Sequence, residues 1–344
     1  MKKLLAVALV LGSCRYLNQD VRLVLDDSYP KTLSGWRLFR GQLSKFEPNE
    51  GVVPYDLNTP LFSDYASKSR FVWMPRGTAA IYDNNEAFEF PAGAILVKTF
   101  AYPGRIVETR ILVNGRTGWT ALPYVWNTEQ TEAVLDVAAS AVEIGYEHAS
   151  GRKMDIHYMI PNTDQCKGCH DRNKRVVPIG PKARHLNKDF DYSTVRENQL
   201  VHWTRLGYLK GAPEAEQAPR NAVWDDVESG DLNRRARSYL DINCAHCHDA
   251  QGPANTSGLY LSAVQSDPLR LGFCKVPVAA GHGAGDLLFD LVPGKPDESI
   301  MLRRMNSIEP KVVMPEVGRM TIHEEAVQLL RDWIQKQSGT CNNL

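Results

Sequence analysis

Cys166-Lys167-Gly168-Cys169-His170 and Cys244-Ala245-His246-Cys247-His248 are the two stretches on which the reading of this chain turns. Each holds cysteines at i and i+3 with a histidine directly after. Residues three apart share one face of a helix. Two such thiols can therefore reach the two vinyl groups on one edge of a haem, with the histidine beneath the ring. Cys-x-x-Cys-His is the attachment pattern of c-type haem. The expectation is two haem c groups bonded through Cys166, Cys169, Cys244 and Cys247, with His170 and His248 as proximal iron ligands. Two other uses of these residues stay open. One is a four-cysteine zinc site, a common use of paired Cys-x-x-Cys motifs. The other is a thioredoxin-type redox pair, which expects a βαβ context. Neither requires a histidine after each pair.

The chain has 344 residues and seven cysteines. Lys2 and Lys3 precede an apolar stretch over 4–11, which reads as an export signal. Leu11-Gly12-Ser13-Cys14 resembles the lipobox of bacterial lipoproteins, which implies a signal over 1–14 and a lipid on Cys14. The expected location is the periplasm, with the chain anchored to a membrane surface through lipidated Cys14. A plain signal with an incidental cysteine is the other reading. Cys274 and Cys341 remain as an even pair, and a disulfide between them suits an oxidising compartment. Basic and acidic residues number 40 each, with no basic block, so nucleic acid is not an expected partner.

Residues 30–160 read as a β-rich domain. Runs at 70–74, 94–100, 106–113, 117–126 and 142–146 are rich in β-branched and aromatic residues, with turn signals between them, which predicts an antiparallel sandwich. No chemistry-bearing cluster stands out there. A first haem-binding segment is expected over 161–220 and a C-terminal cytochrome c domain over 230–344. Helices are predicted at 194–209, 231–243, 297–305 and 321–337, the last with Thr321 and Glu324 as a capping box. Residues 199–224 read as a linker. The fold class expected is α+β multidomain: an N-terminal antiparallel β-sandwich-like domain, then mostly α-helical c-type cytochrome units.

An electron carrier usually fills both axial positions of its iron. For the second haem, Met314 is the expected distal ligand, with Met320 as rival and Met301 and Met305 as core. For the first, His202 is the candidate. His185, Met154, His157 and Met159 are the others, and a five-coordinate iron stays open.

Residues 235–240 and 243–248, 292–299, the Met314-Pro315 pair and 329–334 resemble a planctomycete-type cytochrome c domain. That resemblance implies the distal role for Met314. Residues 54–65, 122–127, 161–170 and 179–184 resemble a family of exported di-haem c-type cytochromes without an assigned reaction. The function expected is electron transfer at the periplasmic or membrane surface. The partner would be a dehydrogenase or a respiratory cytochrome. Electrons would run from the first haem to the Met-ligated second, because thioether favours ferrous iron. The alternative is a di-haem enzyme of peroxidase type with an open site at the first haem. A docking subunit whose β domain holds a dehydrogenase or a surface assembly, served by the haems, is a third reading.

Overall fold

The computed structural model describes residues 19–341, so the expected signal over 1–14, Cys14 included, lies outside the described residues. Six strands form one antiparallel sheet in chain order: β1 (Val53–Tyr55), β2 (Ser67–Trp73), β3 (Ile95–Tyr102), β4 (Arg105–Gly115), β5 (Gly118–Trp126) and β6 (Ala133–Leu135). A separate hairpin follows, β7 (Ser140–Glu147) with β8 (Lys153–Ile160).

The expected sandwich is corrected: one main sheet is covered on both faces. On one face Phe71, Val97, Ile111 and Leu122 meet Leu33, Trp36 and Leu38 of the segment before β1. On the other face Val72, Leu96 and Leu112 meet Cys166, Leu186 and Trp203. Burial on both sides explains why β3 reads Ile-Leu-Val-Lys-Thr-Phe-Ala-Tyr rather than alternating polar and apolar residues.

The expectation of mostly helical cytochrome units is also corrected. The chain is 26% strand and 21% helix, with six helices among the described residues. They are α1 (Thr163–His170), α2 (Ala183–Leu186), α3 (Gln199–Arg205), α4 (Leu232–Asn243), α5 (Ile300–Met305) and α6 (Glu324–Gln335). Helices this short are marginal alone and depend on tertiary packing. Residues 244–299 are turns and short 3₁₀ pieces.

Helix α4 begins where the sequence places it, with Asp231 accepting from the Arg234 N–H at 2.7 Å. Helix α6 begins later than expected. Thr321 is not its cap, because the Thr321 hydroxyl and N–H both donate to Asp64, each at 2.8 Å. Cys274 and Cys341 are joined, with Cα atoms 5.1 Å apart.

Residues 199–224 are a packed seam and not a linker. Gln199 is buried and donates to the carbonyls of Asp56 and Leu186 at 2.9 and 3.0 Å. Thr59 donates to the Ala222 carbonyl at 2.9 Å. Behind the seam lies an ion pair. Arg184 grips Asp241 with two bonds of 2.6 and 2.9 Å, and both side chains are buried. His185 Nε2 lies 3.1 Å from the same carboxylate, and Asn221 donates to it at 2.9 Å. Burial alone would raise the Asp241 pKa, but His185 and Arg184 hold it well below the usual carboxylate range. Burial lowers that of His185.

Both shifts have the same consequence. A depressed folded-state pKa means that the unfolded chain binds protons first, so stability is present above the unfolded values and is lost as pH falls. We expect the protein to lose stability on acidification from about pH 6.5 downward, the range where unfolded His and then Asp titrate. Asp241→Asn should cost about 3–5 kcal/mol at neutral pH by leaving Arg184 buried and unpaired. Urea unfolding at several pH values should show that variant with a flatter acid limb. Cys341→Ser should cost about 2–4 kcal/mol in the same assay under oxidising conditions.

Candidate functional site

The first motif lies wholly on α1. Asn162 and Gln165 form a reciprocal capping box at its start, with bonds of 2.8 and 2.9 Å. One helical turn then separates Cys166 from Cys169, and His170 is the last helical residue. The second motif follows the last turn of α4. There the Cys247 and His248 N–H groups donate to the Cys244 carbonyl at 3.1 and 2.9 Å. The two motifs rest on different cores. Cys166 belongs to the cluster under the sheet, and Cys244 packs on the cluster of α4, α5 and α6.

The structure brings the two motifs together. The Cys169 and Cys247 thiols interact, and that contact lowers the Cys169 pKa and raises that of Cys247. His246 adds to the pull on Cys169. Beside them the Asn173 N–H donates to the Gln251 carbonyl at 3.0 Å. Arg172 bridges Asp249 at 3.2 Å and Glu86 at 2.9 Å. The other two thiols are pushed up by burial, Cys244 to about 12.

Both motif histidines are oriented the same way. His170 Nδ1 lies 2.7 Å from the Val177 carbonyl, which can only accept, so the proton is on Nδ1. His248 Nδ1 lies 3.1 Å from the Ser257 hydroxyl, whose own proton goes to the Ala254 carbonyl at 2.7 Å. Ser257 oxygen therefore accepts, and His248 also carries its proton on Nδ1. Each ring keeps the Nε2 lone pair for another partner. Burial lowers both imidazoles to about 4, so both are neutral at pH 7.

Met314 is half-buried on the loop before α6. Its N–H donates to the Arg304 carbonyl at 3.1 Å, and its own carbonyl accepts from Arg319 at 2.9 Å. Arg304 acts electrostatically on His248, and Glu316, two residues past Met314, on Cys247. That loop therefore lies on the side of the second motif. Met320 is exposed, Met305 is buried in the C-terminal core and Met301 packs on it.

His202 has a different setting. It sits on α3, stacked on Tyr192 at 3.4 Å, with Nδ1 2.5 Å from Glu197. Those partners hold it, and its named contacts do not reach His170. His185 is spent on Asp241, and His157 pairs with Glu143 on the exposed hairpin. Lys98 and Arg110 were passed over in the sequence. Lys98 acts electrostatically on His170 and Arg110 on Cys166. Their signal is a charge on the inward face of strands that also carry Leu96, Phe100 and Leu112 there, with Glu108 as the acid beside Arg110.

The expected metal-binding centre is corrected. Among the described residues, no group of three or more His, Cys, Asp or Glu side chains is placed to hold a metal ion. The four motif cysteines do not assemble a zinc site, and no cytochrome c-like helical unit surrounds them. Comparison with protein-family models, curated proteins and solved structures finds no match. The residues do fit covalent haem. A porphyrin supplies four ring nitrogens of its own, so each site needs only two thiols and an imidazole with a free Nε2. The donor set suits that group, since His170 and His248 each spend Nδ1 on a fixed acceptor.

In the full chain made without export, Cys169 should be the first motif cysteine alkylated by iodoacetamide, at a pH below that of a free thiol. Cys247→Ala removes that contact and should move the Cys169 profile upward, read by peptide mass mapping.

Proposed function

We propose that this chain is an exported electron-transfer protein carrying two covalently attached haems, one at each pentapeptide. The observation that supports it most is the pair of neutral histidines with Nδ1 spent as donor and Nε2 free. Histidines that ligate a metal almost always have the other ring nitrogen fixed in this manner. When bound, the haems supply one-electron chemistry at potentials set by axial ligand, burial and hydrogen bonding.

The chain's own residues do the rest. Cys166 and Cys169 form one attachment point and Cys244 and Cys247 the other. The Cys169–Cys247 contact and the Arg172–Asp249 bridge hold the two points side by side, as a relay requires. Arg304 and Arg319 fix the backbone of Met314 near the second point, which suits Met314 as its distal ligand. His202 stays a candidate for the first haem only if Glu197 and Tyr192 release it. The resemblance of the sequence motifs to exported di-haem proteins suggested this reading. An anchor through lipidated Cys14, on a membrane facing the periplasm, is part of the same proposal. A dehydrogenase or respiratory cytochrome is the partner class it implies.

The exported full chain should gain the mass of two haems and show a reduced c-type spectrum. Cys166→Ser/Cys169→Ser should lose one haem, and Cys244→Ser/Cys247→Ser the other. Met314→Ala should abolish the methionine-to-iron band and lower one midpoint potential only. Colourless protein of unchanged mass would sink the proposal. Peroxide binding at the first haem would replace the carrier by the peroxidase alternative.

A further inference from the structure

Arg70, Lys98 and Arg110 form a row across β2, β3 and β4. Arg70 is the ladder partner of Lys98, and Lys98 of Arg110, so three cations stand side by side on one face. Like charges directly opposite one another in a sheet are destabilising. One position further along, Lys68 is opposite Phe100, and Phe100 is opposite Glu108. The Phe100 ring takes Arg110 at 4.4 Å, Lys98 at 4.8 Å and Lys68 at 5.9 Å.

The anions nearby do not balance this row. Glu108 is fully buried, takes two bonds from Arg110 and accepts from the Tyr158 hydroxyl at 2.7 Å. Asp56 is divided between Arg70 at 2.7 Å and Lys188 at 3.0 Å. Asp64, near Lys68, is occupied by Met320 and Thr321. Lys68 donates to the Ala66 carbonyl at 2.7 Å. Two donors are left over. Arg70 Nη2 is buried with no hydrogen-bond partner, and Lys98 makes no ion pair among the described residues. Burial and the charges of Arg70, Lys68 and Arg110 together push the Lys98 amine well below its ordinary range. Lys68, Lys98 and Arg110 are nonetheless only half-buried, so the row is deep but not sealed.

Buried cations without counter-charge are costly. Evolution could have placed apolar residues in this row, as it did one pairing away at Val72, Leu96 and Leu112. The row also lies under the first motif, where its charges reach Cys166 and His170.

We propose that Arg70, Lys98 and Arg110, with Lys68 beside them, form an anion site that takes a carboxylate. The orphaned Arg70 Nη2 and the Lys98 amine, which takes up a proton as the anion binds, are its donors. The carboxylate has two possible sources: a propionate of the haem joined to Cys166 and Cys169, or a free small carboxylate. Only the first source rests on the haem reading.

The test uses the exported full chain and its Cys166→Ser/Cys169→Ser variant, which lacks the first attachment point. Sodium malonate is titrated against sodium chloride at matched ionic strength, and the thermal midpoint is followed. The double-serine variant should show a saturable rise. Adding Lys98→Met should raise the malonate-free midpoint, since an amine crowded by Arg70, Lys68 and Arg110 is gone, and should weaken the malonate response at least tenfold. A response absent from the haem-loaded wild type assigns the site to a propionate. A response retained there assigns it to a free carboxylate. No saturable response in the double-serine variant, or one that Lys98→Met leaves intact, overturns the proposal. Should the wild type carry no haem, the function proposed above fails while the malonate titration still reads the site.

Discussion

The buried ion pair between Arg184 and Asp241 is the interaction on which the arrangement of this molecule depends. Arg184 lies on α2, beneath the sheet, and Asp241 lies on α4, three residues before Cys244. A bidentate guanidinium–carboxylate pair fixes orientation as well as distance. It therefore sets where α4 ends relative to the half of the chain that carries α1. Asn221 and His185 fill the remaining acceptor positions of the carboxylate, so the buried charge has no unsatisfied side. Such pairs add little net stability compared with apolar packing, but they tolerate few alternative geometries. The Cys169–Cys247 contact is built on that fixity.

Residues 56–65 reinforce the same seam. Asn58 donates to the Arg184 carbonyl, the Phe62 N–H to Asn243, and Asp64 receives Met320 and Thr321. One extended strip thus touches α2, α4 and the entry to α6. Its side chains and backbone are spent on three other elements, which makes it a clamp for the second motif rather than a surface loop.

Much of this was legible in the sequence. β2 to β5 follow the runs of β-branched residues, and α4 follows from Asp231 and its apolar spacing. The Cys274–Cys341 pairing followed from counting cysteines. Other features depended on partners far along the chain. Thr321 has the local pattern of a helix cap, but Asp64 competes for it from 257 residues away. Gly211-Ala212-Pro213 reads as a linker, yet Gln199 and Asn221 on either side are buried by groups invisible to local pattern. His202 beside Trp203 suggested a ring facing a haem, but Tyr192 and Glu197 engage it instead. The helical bias after residue 161 came from apolar spacing at 194–209, 231–243, 297–305 and 321–337, where the structure forms shorter helices. The structure places the first motif on the core of the sheet, so that segment needs little helix of its own.

That placement bears on the direction of electron flow. The sequence alone suggests a downhill path from the first haem to the second, because a thioether ligand favours ferrous iron. The charges on the sheet act in the opposite sense. Positive charge near an iron stabilises its reduced form, and the row at Arg70, Lys98 and Arg110 lies on the side of the first motif. In the proposed relay, charge left unpaired on that row would hold the electron at the first site, and a carboxylate bound there would restore the descent toward Met314. On that reading the sheet would be more than a floor for a haem, since the counter-charge on three strand residues would decide which of two adjacent sites is the acceptor.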